Sequence, residues 1–117
     1  MAATRSPQEV FGHHAQALGA EDLEQIVADY SDAAIFITPA GVLRGKDGIR
    51  QAFTKLLSEV PQATWDLKTT IYQDDILFLE WGAERGGNRI QDGIGTFVFS
   101  DGLIRVQTAR STLQPAR

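Results

Sequence analysis

His14 is one of two histidines in the chain, and imidazole is the side chain whose ordinary pKa lets it take or give a proton near neutral pH. The spacing of Val10, Phe11, His14 and Leu18 predicts a helix whose inward face carries it. His14 is therefore either a catalytic base or hydrogen-bond donor, or a satisfied core or surface histidine. A catalytic His14 predicts an ionisation near neutrality in a pH–rate profile. His13 must point elsewhere, since consecutive helical residues diverge, so the two do not form a metal pair. Asp92 lies in a strand pattern between Gln91 and Gly93, with Gly95 two positions on. Glycines inside a strand mark a bulge or space for a ligand, and an inward Asp92 would be a candidate acid or base. Plain alternation puts it on the face opposite those glycines, where it would be a carboxylate in water.

Glu80 sits between Leu79 and Trp81. A carboxylate in so apolar a strand has to be paired, protonated or at an interface. The expectation is an ion pair with Arg89, Arg105 or Arg110; the catalytic alternative is a buried base with a raised pKa. The last strand is unusually polar, with Gln107, Thr108, Arg110 and Thr112. Gln107, Ala109 and Ser111 share one side by alternation, and turning that side inward leaves Arg110 outside. Trp65 and Trp81 are large aromatic walls, core first and ligand platforms second. Expected substrate contacts are Thr38, Trp65, Phe97 and Gln107, with His14 and Asp92 as catalytic candidates. Asp32 and Asp47 are expected to cap turns or the third helix, and Gly45 and Gly48 to be structural.

Three helices and a run of strands must position these groups. Ser6-Pro7-Gln8-Glu9 is a helix start with a capping box, and Gly19 a stop. A second helix runs from about Glu21, with Leu23, Ile26, Val27 and Tyr30 on one face. Ala34 to Thr38 is a buried strand ended by Pro39, and Val42 to Arg44 its hairpin return. Asp47 to Ser58 is a third helix. From Gln62 the period becomes two. Ala63 to Tyr72 places Trp65, Leu67, Thr69 and Ile71 on one side, and Asp74-Asp75 is a turn. Ile76 to Ala83, Arg89 to Phe99 and Leu103 to Leu113 follow, separated by turns at Gly86-Gly87-Asn88 and Ser100-Asp101-Gly102. Helices first and an antiparallel meander last make an α+β architecture. On Ile76 to Trp81 both faces are apolar, so the second face needs a cover. With no helix left over, a homodimer through the sheet is the expected partner.

At 117 residues the chain is expected to be a single domain, 1–117. It has no cysteine, which excludes disulfides, thiolate metal sites and thiol catalysis. No metal or other cofactor is expected. The net charge is −4, and Lys and Arg never form a run, so no nucleic-acid footprint is visible. No apolar run is long enough to span a bilayer. Met1 to Arg5 has no apolar stretch behind it, so no secretory signal is read and a cytoplasmic location is expected.

The order of elements, with Tyr30-Ser31-Asp32-Ala33-Ala34 leading into the first strand, Thr38-Pro39 ending it and Arg44-Gly45-Lys46-Asp47-Gly48-Ile49 opening the third helix, resembles the nuclear transport factor 2-like superfamily. Within it the chain is most similar to SnoaL-like polyketide cyclases and ketosteroid isomerases. The resemblance implies a cone-shaped roll of three helices on a curved, mostly antiparallel sheet, enclosing a small-molecule pocket. In the isomerases an Asp is the base, while a Tyr and a protonated Asp donate to the enolate. The corresponding positions in this chain hold Thr38, His14 and Gly95, so that mechanism does not carry over. The cyclases' late-strand Asp is missing from Gln107 to Thr112, and the Asp–Arg–Asp set of the family's epoxide hydrolases is not recovered. What remains is the expectation of a cofactor-free isomerase, cyclase or dehydratase for an apolar oxygenated ring or polyketide-like molecule. A non-catalytic binding or dimerisation module is the alternative.

Overall fold

The computed structural model describes residues 4–85 and 87–114. Helix α1 spans Pro7–Gly19. Its capping box forms: the Glu9 backbone N–H donates to Ser6 Oγ at 3.1 Å, and the Ser6 N–H donates to Glu9 Oε1 at 2.8 Å. Helix α2 is short, Leu23–Ala28, and Asp22 caps it by accepting from the Gln25 N–H at 3.2 Å. Strand β1 then runs from Tyr30 to Thr38. Tyr30 therefore opens a strand, although its helical spacing from Ile26 and Val27 places it on the α2 face. Strand β2 is Gly41–Arg44, and helix α3 follows at once as Gly45–Glu59. That is two residues ahead of the expected start, so Asp47 lies inside the first turn and contacts Arg50 at 3.5 Å instead of capping. Asp32 faces Lys46 at 3.8 Å.

The remaining strands are β3 (Thr64–Gln73), β4 (Ile76–Arg85), β5 (Asn88–Ser100), β6 (Leu103–Arg110) and the two-residue β7 (Leu113–Gln114). The single last strand read to Leu113 is thus interrupted at Ser111 and Thr112, and β7 pairs with β5 instead. Asp101 and Gly102 take positive φ values of 54° and 75° in the β5–β6 turn, which a two-residue hairpin with right-handed twist requires. Gly86 of the other turn lies outside the described residues.

The sheet order is β2-β1-β6-β5-β4-β3, and it is not closed. β1 runs parallel to β6, and the other ladders are antiparallel. Register defines the two faces. Leu77, Phe97, Gln107 and Phe36 lie side by side across the four central strands, and Leu79, Gly95 and Ala109 form the next row. The helices pack on this side, with Val10, Phe11, Ile26, Ile49 and Phe53 completing the core. The other face carries Ile35, Val106, Val98 and Ile76 in one row and Ile37, Thr108, Thr96 and Phe78 in the next.

Register breaks between Leu67 and Thr69, Trp81 and Ala83, and Val98 and Phe99 bend the sheet around the helices. The first of them corrects the alternation reading of β3. Trp65 and Leu67 pair with Ala83 and Trp81 on the inner face, whereas Thr69 and Ile71 pair with Glu80 and Phe78 on the outer face. One inserted residue, Lys68, moves the rest of the strand to the other side.

Candidate functional site

Between the inner face and the helices lies a cavity of about 890 Å³. Its floor comes from the middle of the sheet and from α1 and α3, through Phe97, Gln107, Phe36, His14 and Phe53. Its mouth has apolar lips, Val42 and Leu67, both 48% exposed. Trp65 and Trp81 line the wall with ring centroids 5.9 Å apart. The polar lining is sparse: His14, Thr38, Gln51, Gln107 and Ser111, plus an ion pair of Lys55 and Glu59 at 3.0 Å.

His14 is buried in a nest of aromatic rings. Phe11, Tyr30, Phe53 and Phe97 surround it at centroid distances of 6.0, 5.8, 5.4 and 5.7 Å. Its Nδ1 is sealed from water and has no hydrogen-bond partner among the described residues. Burial pushes its pKa from 6.5 down to about 4; the nearby Asp29 charge opposes that shift and His13 adds to it. The imidazole is therefore neutral at pH 7, and an ionisation of His14 near neutrality is not what this environment produces.

Gln107 is buried on the floor, and Ala109 and Ser111 of the same alternation set also line the cavity. The Tyr30 hydroxyl donates to Gln107 Oε1. Tyr30 is fully buried, and desolvation holds its pKa well above the ordinary value, so the phenol stays protonated. Sequence reasoning missed this tyrosine because its spacing continues the apolar face of α2. The signal was the Tyr-Ser-Asp-Ala-Ala motif, which already marks the entry to β1. Thr38 lines the cavity as expected, its Oγ1 accepting from the Ala40 N–H at 3.1 Å.

Asp92 is not brought to this site. It is exposed, and its carboxylate accepts from the Thr112 N–H at 2.8 Å, a bond that lowers its pKa. It ties β5 to the segment ahead of β7 instead of facing the cavity. Glu80 lies on the outer face beside Thr69 and Ile94 and has no ion pair among the described residues. Ile94 separates it from Arg110 in the cross-strand row, and Arg89 is engaged with Gln114 at 3.1 Å. The two glycines that follow Asp92 have a different purpose. A Cβ on Gly93 would stand 2.3 Å from the Trp81 indole, and one on Gly95 would stand 2.3 Å from the Thr108 carbonyl oxygen. The space they leave is filled by the protein itself.

His13 turns away from the cavity. Its Nδ1 lies 2.7 and 2.9 Å from the two oxygens of Asp29, a buried carboxylate that also accepts from Arg5 at 3.0 Å. Among the described residues no group of three His, Asp or Glu could hold a metal ion, and no helix is long and apolar enough to cross a membrane.

An open, curved sheet and three helices thus clasp a mostly apolar cavity, and the family model described as "SnoaL-like domain" matches residues 11–107. The chain belongs to the SnoaL-like domain family. Among solved structures it is similar to an NTF2-like protein of unknown function from Cytophaga hutchinsonii (TM-score 0.77, 13% identity, 96% of this chain and 95% of that one). A candidate ketosteroid isomerase from Kribbella flavida superposes with TM-score 0.75 at 14% identity, covering 95% and 82%. A candidate polyketide cyclase from Streptomyces antibioticus does so with TM-score 0.73 at 15%, covering 92% of both. At such identities the likeness is one of fold. No curated protein matches.

Proposed function

We propose that the cavity binds an apolar, oxygenated ring or polyketide-like molecule and that the chain catalyses proton transfer on it without a cofactor. The observation that carries this reading is the pair His14 and Gln107 at the floor of a mostly apolar cavity. Few polar groups at fixed positions in apolar surroundings are what orient such a ligand and what strengthen each hydrogen bond to it. Neutral His14 serves as a hydrogen-bond donor to the ligand oxygen at which charge develops. A bare lone pair costs less than a stranded N–H, so the unpartnered Nδ1 argues for a proton on Nε2. Thr38 orients the ligand and Trp65 packs its ring. Because burial holds the imidazole pKa at about 4, His14 keeps this neutral donor form through neutrality, and the reading expects rates without a His14 inflection between about pH 6 and 8.

The family resemblances support this reading at the level of class: similar folds include a candidate cyclase and a candidate isomerase. One observation favours a non-catalytic binding module instead. The only carboxylate lining the cavity among the described residues is Glu59, and it is held by Lys55. A fluorescence titration with flat hydroxylated polycyclic ligands tests the shared part, since both tryptophans line the cavity. Saturable quenching is expected, and His14→Ala should weaken it about tenfold, the equivalent of one buried hydrogen bond. Equal affinity in the variant would remove His14 from the site. Binding without turnover of any ligand would leave the module reading standing.

The partner in this proposal is a second copy joined through the outer sheet face. Ile37, Ile71, Ile76 and Ile94 lie there, each 37% exposed or more. Four large aliphatics on one face of a sheet are a surface that association would bury. Sedimentation should give twice the chain mass at micromolar concentration, and Ile94→Lys should return the monomer. A wild-type monomer would end the dimer proposal.

A further inference from the structure

Gln107 ends in one acceptor and one donor, and which of them meets a ligand depends on what holds the other. The holder is Tyr30. Its hydroxyl donates to Gln107 Oε1, and its ring is wedged against His14 and Phe53 at 5.8 and 6.0 Å. The reverse amide orientation would leave the phenol O–H without that acceptor inside the core, a stranded buried donor. The carbonyl end of Gln107 is thus turned to Tyr30, and the amide nitrogen is the end left for the cavity that Gln107 lines. Among the other floor residues, Phe97, Phe36, His14 and Phe53, no side-chain acceptor is left for the cavity. The Nδ1 lone pair of His14 is sealed away, and the three phenylalanines have none. The carboxylate of Glu59 is paired with Lys55.

We propose that Tyr30 is a positioning residue that locks Gln107 with its nitrogen toward the cavity, so that the floor offers hydrogen-bond donors and selects a ketone oxygen over a hydroxyl. This rests on the reading of the cavity as a ligand site and narrows its substrate class. A ketone accepts from Gln107 and needs nothing in return. The matching alcohol also accepts, but its own O–H finds no partner on the floor. A site built on one hydrogen-bond polarity rejects the analogue that leaves a group unpaired.

The test uses 1-tetralone and 1-tetralol, titrated by tryptophan quenching into wild type, Tyr30→Phe and Gln107→Met. Wild type is expected to bind the ketone about tenfold more tightly. Tyr30→Phe frees the amide to turn its oxygen to the alcohol, and the two affinities should come within about twofold. Gln107→Met should lower ketone affinity to the level of the alcohol. A purely structural Tyr30 would weaken both ligands alike and leave their ratio unchanged, which would overturn the assignment. Should Tyr30→Phe fail to fold, as judged by circular dichroism, an unchanged ratio in Gln107→Met would overturn it as well. Wild-type binding without preference sinks this inference alone, whereas no binding of either ligand sinks the cavity reading along with it.

Discussion

Wild-type protein should lose roughly 3 kcal/mol of stability between pH 6.5 and pH 4 through His14 alone, and His14→Gln should abolish that loss. The imidazole pKa falls from 6.5 to about 4 on folding, and each pKa unit corresponds to about 1.4 kcal/mol. Above pH 6.5 the ring is neutral in both states and contributes nothing. Below it the unfolded chain takes up a proton that the folded chain refuses until about pH 4. The unfolded state binds more protons in that window, so stability rises with pH through it and falls as the pH is lowered. Urea denaturation at pH 7 and at pH 4.5 reads the difference. Parallel behaviour of the two proteins would show that His14 is hydrated or paired in solution.

Gly95→Ala is expected to cost about 3 kcal/mol, at the upper end of what overpacking does. The added methyl would meet the Thr108 carbonyl oxygen at 2.3 Å, and a backbone oxygen within a ladder has nowhere to go. Local pairing is already adjusted to the approach, since the Thr96 N–H donates to Thr108 Oγ1 at 3.1 Å. Gly93→Ala makes the useful contrast. Its methyl would meet the Trp81 ring at 2.3 Å, and a side chain can swing, so the loss should be smaller and accompanied by a shift in tryptophan emission. Denaturant melts of both variants decide the matter. A cost below about 1 kcal/mol at Gly95 would mean that β5 and β6 separate more easily than their register suggests.

These glycines show how far the sequence could be read. Inside a strand they read as a bulge or as space for a ligand, whereas what they make room for is an indole and a carbonyl of the protein itself. The overall architecture was legible because helix starts, period changes and turn residues are local properties, and they came in a recognisable order. The inward set of the last strand was legible too, since turning Gln107 in keeps Arg110 out. What escaped was decided by single inserted residues and by pairing across the chain. The bulge at Lys68 sends Thr69 and Ile71 to the opposite face from Trp65, and no residue type announces it. Asp92 belonged to the water side, as alternation said, but its hydrogen bond to Thr112 could not be foreseen from spacing. Tyr30 satisfies a helical periodicity and a strand entry at once, and only the fold chooses between them.

The single parallel ladder has a consequence for how the cavity comes into being. Strands β3 to β6 are neighbours in sequence as well as in the sheet, and β1 and β2 form a hairpin of their own. Among the described residues β1 against β6 is the one ladder that joins these two pieces, and it does so across most of the chain: Tyr30 meets Gln107 at a separation of 77 residues. Closing so long a loop costs chain entropy before its contacts can compensate, which makes such pairings the slow step of assembly. The floor of the cavity is the seam itself. A meander with a separate unit of helices and the β1–β2 hairpin could possess nearly all of the secondary structure and still have no binding site, because the site exists only once the early and late parts of the chain have met.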